Sequence, residues 1–310
     1  MTVDAETLRL SDEAARQWSA PDGAVLRPGS EAHKRAACQM FHDTFNPYKP
    51  SVIAWPRLAP DALQRLVNLP IWDIAVQTEG KARLRMATYA SVEPDPDMRA
   101  AIELNAWEEG RHKEVLAHLV ATYGIPLMAE PGYVVPTDPE WAYLVTGYSE
   151  CIDSFFAFGL FELAKRSGFF PAELIDTFEP VMQEECRHIL FFANWVAWHR
   201  RRLAWWWRVA FEVRVFRVWL FLIWERIGIA RSMDGDGHQM AQDNNFTATG
   251  GKSVSGMDLS AGEMMALCLQ ENDRRFAGYD RRLLRPTTVP ALARLACRVA
   301  GWWAGKHHPA

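Results

Sequence analysis

Trp107-Glu108-Glu109-Gly110-Arg111-His112 and Gln183-Glu184-Glu185-Cys186-Arg187-His188 are near copies of one another, each reading E-E-x-R-H. Residues three apart share a face of an α-helix, so Glu109 with His112, and Glu185 with His188, can aim at one point. A carboxylate and an imidazole at that spacing make half of a transition-metal site. A single E-x-x-H on a solvated helix would carry little weight. Here the neighbours at helical spacing are apolar: Ile102, Ala106, Leu116 and Leu119 around Glu109, and Phe178, Val181, Met182 and Phe192 around Glu185. Both glutamates are therefore expected in a core, where an ionised carboxylate without a partner is costly.

Outward from these motifs, Pro- and Gly-containing breaks fall at 93–96, 123–126, 136–139 and 168–171. They divide the chain into four helices, roughly 62–91, 96–122, 139–167 and 171–201. Short connections make each successive pair antiparallel, and the longer link at 123–138 crosses between the pairs. The expected class is all-α, a four-helix bundle with one crossover connection. The two motifs lie on the second and fourth helices. The first helix offers Glu79, on a face with Trp72, Ala75, Val76, Ala82 and Met86. The third offers Glu150, on a face with Tyr143, Thr146, Gly147, Ala157 and Leu160. Glu79 precedes Glu109 by 30 residues and Glu150 precedes Glu185 by 35, which puts all four carboxylates at one level of antiparallel helices. Such a layer stays protonated or is neutralised by cations, and two divalent ions balance four glutamates.

A Glu from each of two helices, with Glu-x-x-His from each of the other two, resembles the ferritin-like di-iron carboxylate superfamily over residues 62–200. The acidic residue before each ligand Glu, and the Arg before each His, most resemble its oxygen-activating branch: acyl-carrier-protein desaturases, bacterial multicomponent monooxygenases and arylamine N-oxygenases. The resemblance implies metal ligands Glu79, Glu109 and His112 for one half and Glu150, Glu185 and His188 for the other. Glu109 and Glu185 would bridge, and the four glutamates would be the catalytic set. Two Fe ions are the expected cofactor, with a Mn/Fe pair as the alternative and O2 as co-substrate. By the same resemblance, Glu108 and Glu184 would hydrogen-bond the ligand histidines, and Arg111 and Arg187 would neutralise them. An exposed i, i+3 ion pair on each helix is the competing role for those four. For Asp153, a ligand or histidine partner and a core-edge salt bridge stand equal. The expected activity is a non-haem di-iron oxygenase or oxidase that hydroxylates, desaturates or N-oxygenates an apolar or aromatic small molecule. A ferritin- or rubrerythrin-like iron-oxidising or peroxide-detoxifying protein is the alternative, and a non-catalytic helical interaction protein the second.

The rest of the chain bounds these expectations. Of 310 residues, 34 are Lys or Arg and 38 Asp or Glu, so no basic excess exists to meet nucleic-acid phosphates. Five cysteines, with no C-x-x-C pair, argue against a disulfide framework or a rubredoxin module and for a reducing compartment. With no apolar leader at the start, the expected location is the cytoplasm, with the inner face of the membrane as a variant. No G-x-G-x-x-G fingerprint for a flavin or nicotinamide is present, so electrons would come from a separate reductase or ferredoxin. The divisions are an N-terminal arm (1–60) with a short helix at about 31–45, the di-metal bundle (61–202), a Trp/Arg-rich helix (203–232), and a flexible linker with short C-terminal helices (233–310). Seven of the 14 tryptophans lie between Trp195 and Trp224. For 203–230 three roles stand open: a packed fifth helix, a homodimer interface, or a helix lying on a membrane surface. Its longest uncharged run, Val218–Trp224, is far short of the ~20 residues that span a bilayer. Thr146, Gly147 and Ala157 would either open a pocket beside Glu150 or let helices pack closely. Cys186 is expected as a buried thiol and His199 as a surface or subunit contact.

Overall fold

The computed structural model describes residues 3–48, 54–69, 71–130, 132–233 and 261–307. Those residues are all-helical, and their one strand-like feature is an isolated bridge between Trp18 and Tyr279. In chain order the helices are α1 Ala5–Ala15, α2 Glu31–Asp43, α3 Pro60–Val67, α4 Trp72–Ala90, α5 Pro96–Tyr123, α6 Pro139–Ser167, α7 Ala172–Arg202, α8 Trp205–Met233, α9 Ala261–Phe276 and α10 Thr288–His307. The long helices α4 to α7 pack as four neighbouring pairs: α4 on α5, α6 on α7, α4 on α6 and α5 on α7.

The breaks read from the sequence act as helix starts and stops. Asp95 and Asp138 cap α5 and α6, accepting from the backbone N–H groups of Asp97 and Met98, and of Trp141. Pro96 and Pro139 then occupy the first helical position, where no N–H is needed. Both helices end at a glycine with positive φ, Gly124 and Gly168. One expectation needs correction. The first long helix is not continuous over 62–91 but is divided into α3 and α4. Pro70 in the sequence accounts for this, because a proline disfavours helical conformation in the residue before it. Helix α1 was not anticipated, and the linker expected over 233–260 lies, but for Met233, outside the described residues.

The core has two apolar zones with the carboxylate layer between them. Along α4, Trp72, Ala75 and Val76 are buried on one side of Glu79, and Met86, Tyr89 and Ala90 on the other. Helix α2 packs against α7 and α5 and buries Ala37, Met40 and Phe41 there, so the N-terminal arm is part of the core. Helix α8 packs on α6 and α7 through Phe211, Val215, Val218 and Leu222. Its opposite face leaves Val209, Val213, Phe216, Leu220, Trp224 and Ile227 each about half exposed or more. One face therefore meets the packed fifth helix of the expectation, and the other is an apolar stripe at helical spacing. No helix among the described residues is long and apolar enough to cross a membrane.

His199 is a correction, being buried rather than at the surface. It stacks on Trp195 with ring centroids 4.8 Å apart and lies against Phe211. Glu140 is 3.6 Å away, too long for a hydrogen bond. Burial first, and then the Arg202 charge, push its pKa down to about 4. The unfolded chain protonates near pH 6.5, so this side chain leaves stability unchanged above that pH. Between about pH 6.5 and about pH 4 the unfolded state takes up a proton that the folded state refuses, and stability falls by about 2–3 kcal/mol. His199→Phe keeps the ring stack and removes the titration. Urea midpoints at pH 7 and pH 4.5 should lie closer together in this variant than in the parent. Equal spacing in both would refute the assignment.

Candidate metal centre

The two E-E-x-R-H motifs face each other across α5 and α7. The imidazoles of His112 and His188 are fully buried, with ring centroids 5.4 Å apart. Each Nε2 lies 2.8 Å from a carboxylate of the opposite helix: His112 from Glu184, and His188 from Glu108. A carboxylate accepts only, so each Nε2 donates to it, which leaves each Nδ1 on the inner side of its ring. Both Nδ1 atoms face the inner glutamates. His188 Nδ1 is 2.8 Å from Glu109 and 4.0 Å from Glu185, while His112 Nδ1 is 3.1 Å from Glu185 and 3.7 Å from Glu79.

Glu109, His112, Glu185 and His188 offer ligand atoms that all lie within 4.8 Å of one another. Glu79 sits at the same cluster beside His112, and Glu150 lines the same cavity as Glu79, Glu109 and Glu185. Both Glu150 carboxylate oxygens, Glu109 Oε1 and the two Nδ1 atoms are buried with no hydrogen-bond partner among the described residues. Burial, and next the charges of neighbouring glutamates, raise Glu109 and Glu150 well above the usual carboxylate range. Groups left without donors and pushed toward protonation are what a cation would satisfy. Imidazole nitrogens and carboxylates gathered in this way are a donor set that could hold a metal ion, with Glu109 nearest His188 and Glu185 nearest His112. All six residues expected as ligands are thus brought to one place.

The outer residues are wired crosswise. Arg111 of α5 bonds Glu184 of α7, and Arg187 of α7 bonds Glu108 of α5 at 2.8 Å. The i, i+3 pairing on one helix is only secondary, with Arg111 3.7 Å from Glu108. Burial alone would raise Glu108, but the Arg187 charge and the hydrogen bond from His188 outweigh it and hold the carboxyl at about 2. Helix α2 and the turn after it supply further acceptors to both arginines, although Arg111 Nε has none among the described residues. Thr44 Oγ1 accepts from Arg187 Nε and the Phe41 carbonyl from Arg187 Nη2, while the Asn46 carbonyl accepts from Arg111. The Phe41 ring lies under Arg187 at 4.6 Å, and Trp107 and Phe45 flank Arg111 at 4.8 and 5.2 Å. Of these, Phe41, Thr44, Phe45 and Asn46 were missed from sequence. A backbone carbonyl carries no residue signal, and a lone threonine no pattern.

Asp153 does not reach the histidines. It accepts from Arg226 of α8 at 2.9 Å and from Ser149 at 3.0 Å, so the core-edge salt bridge is the role observed. Gly147 serves packing, because a Cβ there would fall 2.3 Å from the Phe192 ring. Thr146 and Ala157, by contrast, line the cavity beside the glutamates. Cys186 is fully buried, and burial pushes its thiol up to about 12, as a small apolar filler would show.

The crossed network makes a prediction independent of any metal. Arg187→Met strands a fully buried carboxylate at Glu108 and should destabilise the protein by about 3–5 kcal/mol. Adding Glu108→Gln to that variant removes the stranded charge and should recover a large part of the loss. Equilibrium urea unfolding of the two singles and the double measures the coupling, and additive effects would show that the pair does not act as a unit. The chain matches no family model, no curated protein and no solved structure, so the chemistry of the centre is read from these contacts alone.

Proposed function

We propose that this protein is a ferritin-like di-iron oxygenase or oxidase, with Glu79, Glu109, His112, Glu150, Glu185 and His188 as ligands of two iron ions. The observation that carries this reading is the pair of buried Nδ1 atoms, on rings held from behind by Glu184 and Glu108, facing inner carboxylates of which Glu109 Oε1 and both Glu150 oxygens lack a donor among the described residues. A reduced iron pair, when bound, supplies O2 activation. For a hydroxylation the balance is R–H + O2 + 2 electrons + 2 protons giving R–OH + water, with the electrons from a separate reductase or ferredoxin. The chain's own residues set the conditions. Glu108 and Glu184 fix the tautomer and orientation of the ligand rings and raise their basicity. Arg187 keeps Glu108 charged, whereas at Glu184 burial outweighs His112 and Arg111 and raises the carboxyl. The apolar zones to either side exclude water, and the cavity opening on Glu79, Glu109, Glu150 and Glu185 has room for an organic substrate. That cavity favours an oxygenase over iron storage, which needs no apolar chamber beside the metals.

Protein produced with iron should carry close to two metal ions per chain by elemental analysis. Glu109→Ala and Glu185→Ala should each lose most of that metal. A parent value below about half an ion per chain would sink the reading, and full metal in both variants would overturn the ligand assignment. Aerobic addition of ferrous iron separates the activities: uptake should stop near two ions per chain, whereas hundreds per assembly would identify a store. Glu108→Gln and Glu184→Gln should weaken metal binding by about 10–100-fold in a chelator competition while leaving the count at saturation unchanged.

A further inference from the structure

Half of the large apolar side chains exposed among the described residues lie on α8, between Trp205 and Ile227. Four of the five exposed tryptophans are among them: Trp205, Trp206 and Trp207 at the start of the helix, and Trp224 near its end. At about 100° per residue, Val209, Val213, Phe216, Leu220, Trp224 and Ile227 fall within an arc of about 80°. That arc lies opposite Phe211, Val215, Val218 and Leu222, which face the bundle. The stripe runs for about 27 Å along the helix at 1.5 Å per residue, and no polar side chain interrupts it. An exposed apolar strip of that length is not what a surface in contact with water alone presents.

The charge beside the stripe is of one sign. Helix α8 carries five arginines against two glutamates, in a chain whose net charge is -4. Neither glutamate is free to meet a partner: Glu212 accepts from Arg200, and Glu225 is half-buried near Arg226 and Arg85. Arg201, Arg208 and Arg217 are exposed and pair with no carboxylate among the described residues. Arg208 donates to the carbonyls of Leu203 and Arg201, Arg201 donates to that of Pro28, and Arg217 lies over the Trp141 ring at 5.8 Å. By helical position, Arg208 and Arg217 stand on opposite flanks of the stripe.

Two coverings differ in how they treat these cations. A second copy seated stripe to stripe would bring arginines against arginines, with no free carboxylate on either face and no hydrogen-bonding group within the strip. An anionic bilayer answers each part. Apolar side chains enter the boundary of the acyl chains, tryptophans sit at headgroup level, and arginines reach phosphates along their own apolar stems. The arginines and glutamates along α8 keep it from crossing, and no helix among the described residues is long and apolar enough to do so.

We infer that α8 seats this protein on the surface of an anionic phospholipid bilayer. The helix lies along the surface with Val213, Phe216 and Leu220 in the acyl boundary and with Arg201, Arg208 and Arg217 at lipid phosphates. The inference goes beyond the di-iron reading and does not rest on it. It also places the centre. Arg226 of α8 bonds Ser149 and Asp153, which line the cavity beside the glutamates. A seated molecule holds that cavity wall one helix diameter from the lipid, about 10–12 Å.

The test is co-sedimentation of the full chain with vesicles of phosphatidylcholine alone, or of equal parts phosphatidylcholine and phosphatidylglycerol. Sedimentation velocity without lipid reports self-association. The mixed vesicles should bind at least ten-fold more tightly than phosphatidylcholine, and added salt should weaken that binding. The double variant Phe216→Glu, Leu220→Glu should lose at least ten-fold and keep the parent's melting temperature, because both side chains already face water. Arg208→Gln and Arg217→Gln should each weaken binding to the mixed vesicles by about three- to five-fold and leave phosphatidylcholine unchanged. Failure to bind the mixed vesicles overturns the inference, as does normal binding by the double variant. Equal affinity for the two lipids overturns the part given to the arginines. A chain that ignores vesicles but self-associates, and is made monomeric by Phe216→Glu, shows that a second copy covers the stripe instead.

Discussion

Six carboxylates gathered inside a helical core are the constraint around which the rest of this protein is arranged. Glu108, Glu109 and Glu184 are buried outright, the two carboxylate oxygens of Glu150 are buried, and Glu79 and Glu185 are mostly so. Ionised carboxylates in such a place are tolerable only when each is paired and hydrogen-bonded. The structure handles them in two groups. The outer pair is neutralised by protein, through Arg187 and Arg111, and each then holds one imidazole. Among the inner four, Glu109 and Glu150 carry oxygens with no donor among the described residues, a shortage that the outer pair does not share.

The neutralisation spreads outward in consequence. A fully buried arginine needs acceptors for the N–H groups its carboxylate does not use. Here α2 supplies them, through Phe41, Thr44 and the turn at Asn46. The arm before the long helices is thus as much a part of this charge network as the helices that carry the glutamates, and the division of the chain at residue 60 does not describe how the charges are balanced. The crosswise wiring adds a second dependence. Because the ring on α5 is held from α7 and the ring on α7 from α5, neither half of the centre exists without the register of both helices.

Much of this was legible in the sequence because it depends on local spacing. Glu and His three apart, apolar neighbours at helical intervals, and capped starts at Asp95-Pro96 and Asp138-Pro139 are statements about one helix at a time. They brought Glu79 and Glu150 to the right level because antiparallel helices with a short turn keep simple arithmetic. What stayed hidden depends on relations between elements. Whether Arg187 pairs with Glu184 three residues back or with Glu108 on another helix is decided by helix rotation, which no periodicity reports. The burial of His199 depends on α8 covering it with Phe211. Pro70 did carry a local signal, and it ends the first helical run where an apolar pattern alone continues through it.

Helix α8 shows a different kind of consequence. Its bare stripe is adhesive only at contact, where excluded salts such as sulfate strengthen apolar association. Exposed Arg208 and Arg217 stand on the same helix. Their repulsion reaches about 10 Å at 0.1 M ionic strength and is screened away above it. A short-range attraction and a long-range repulsion therefore share one surface, and ionic strength sets which of them governs when two molecules meet.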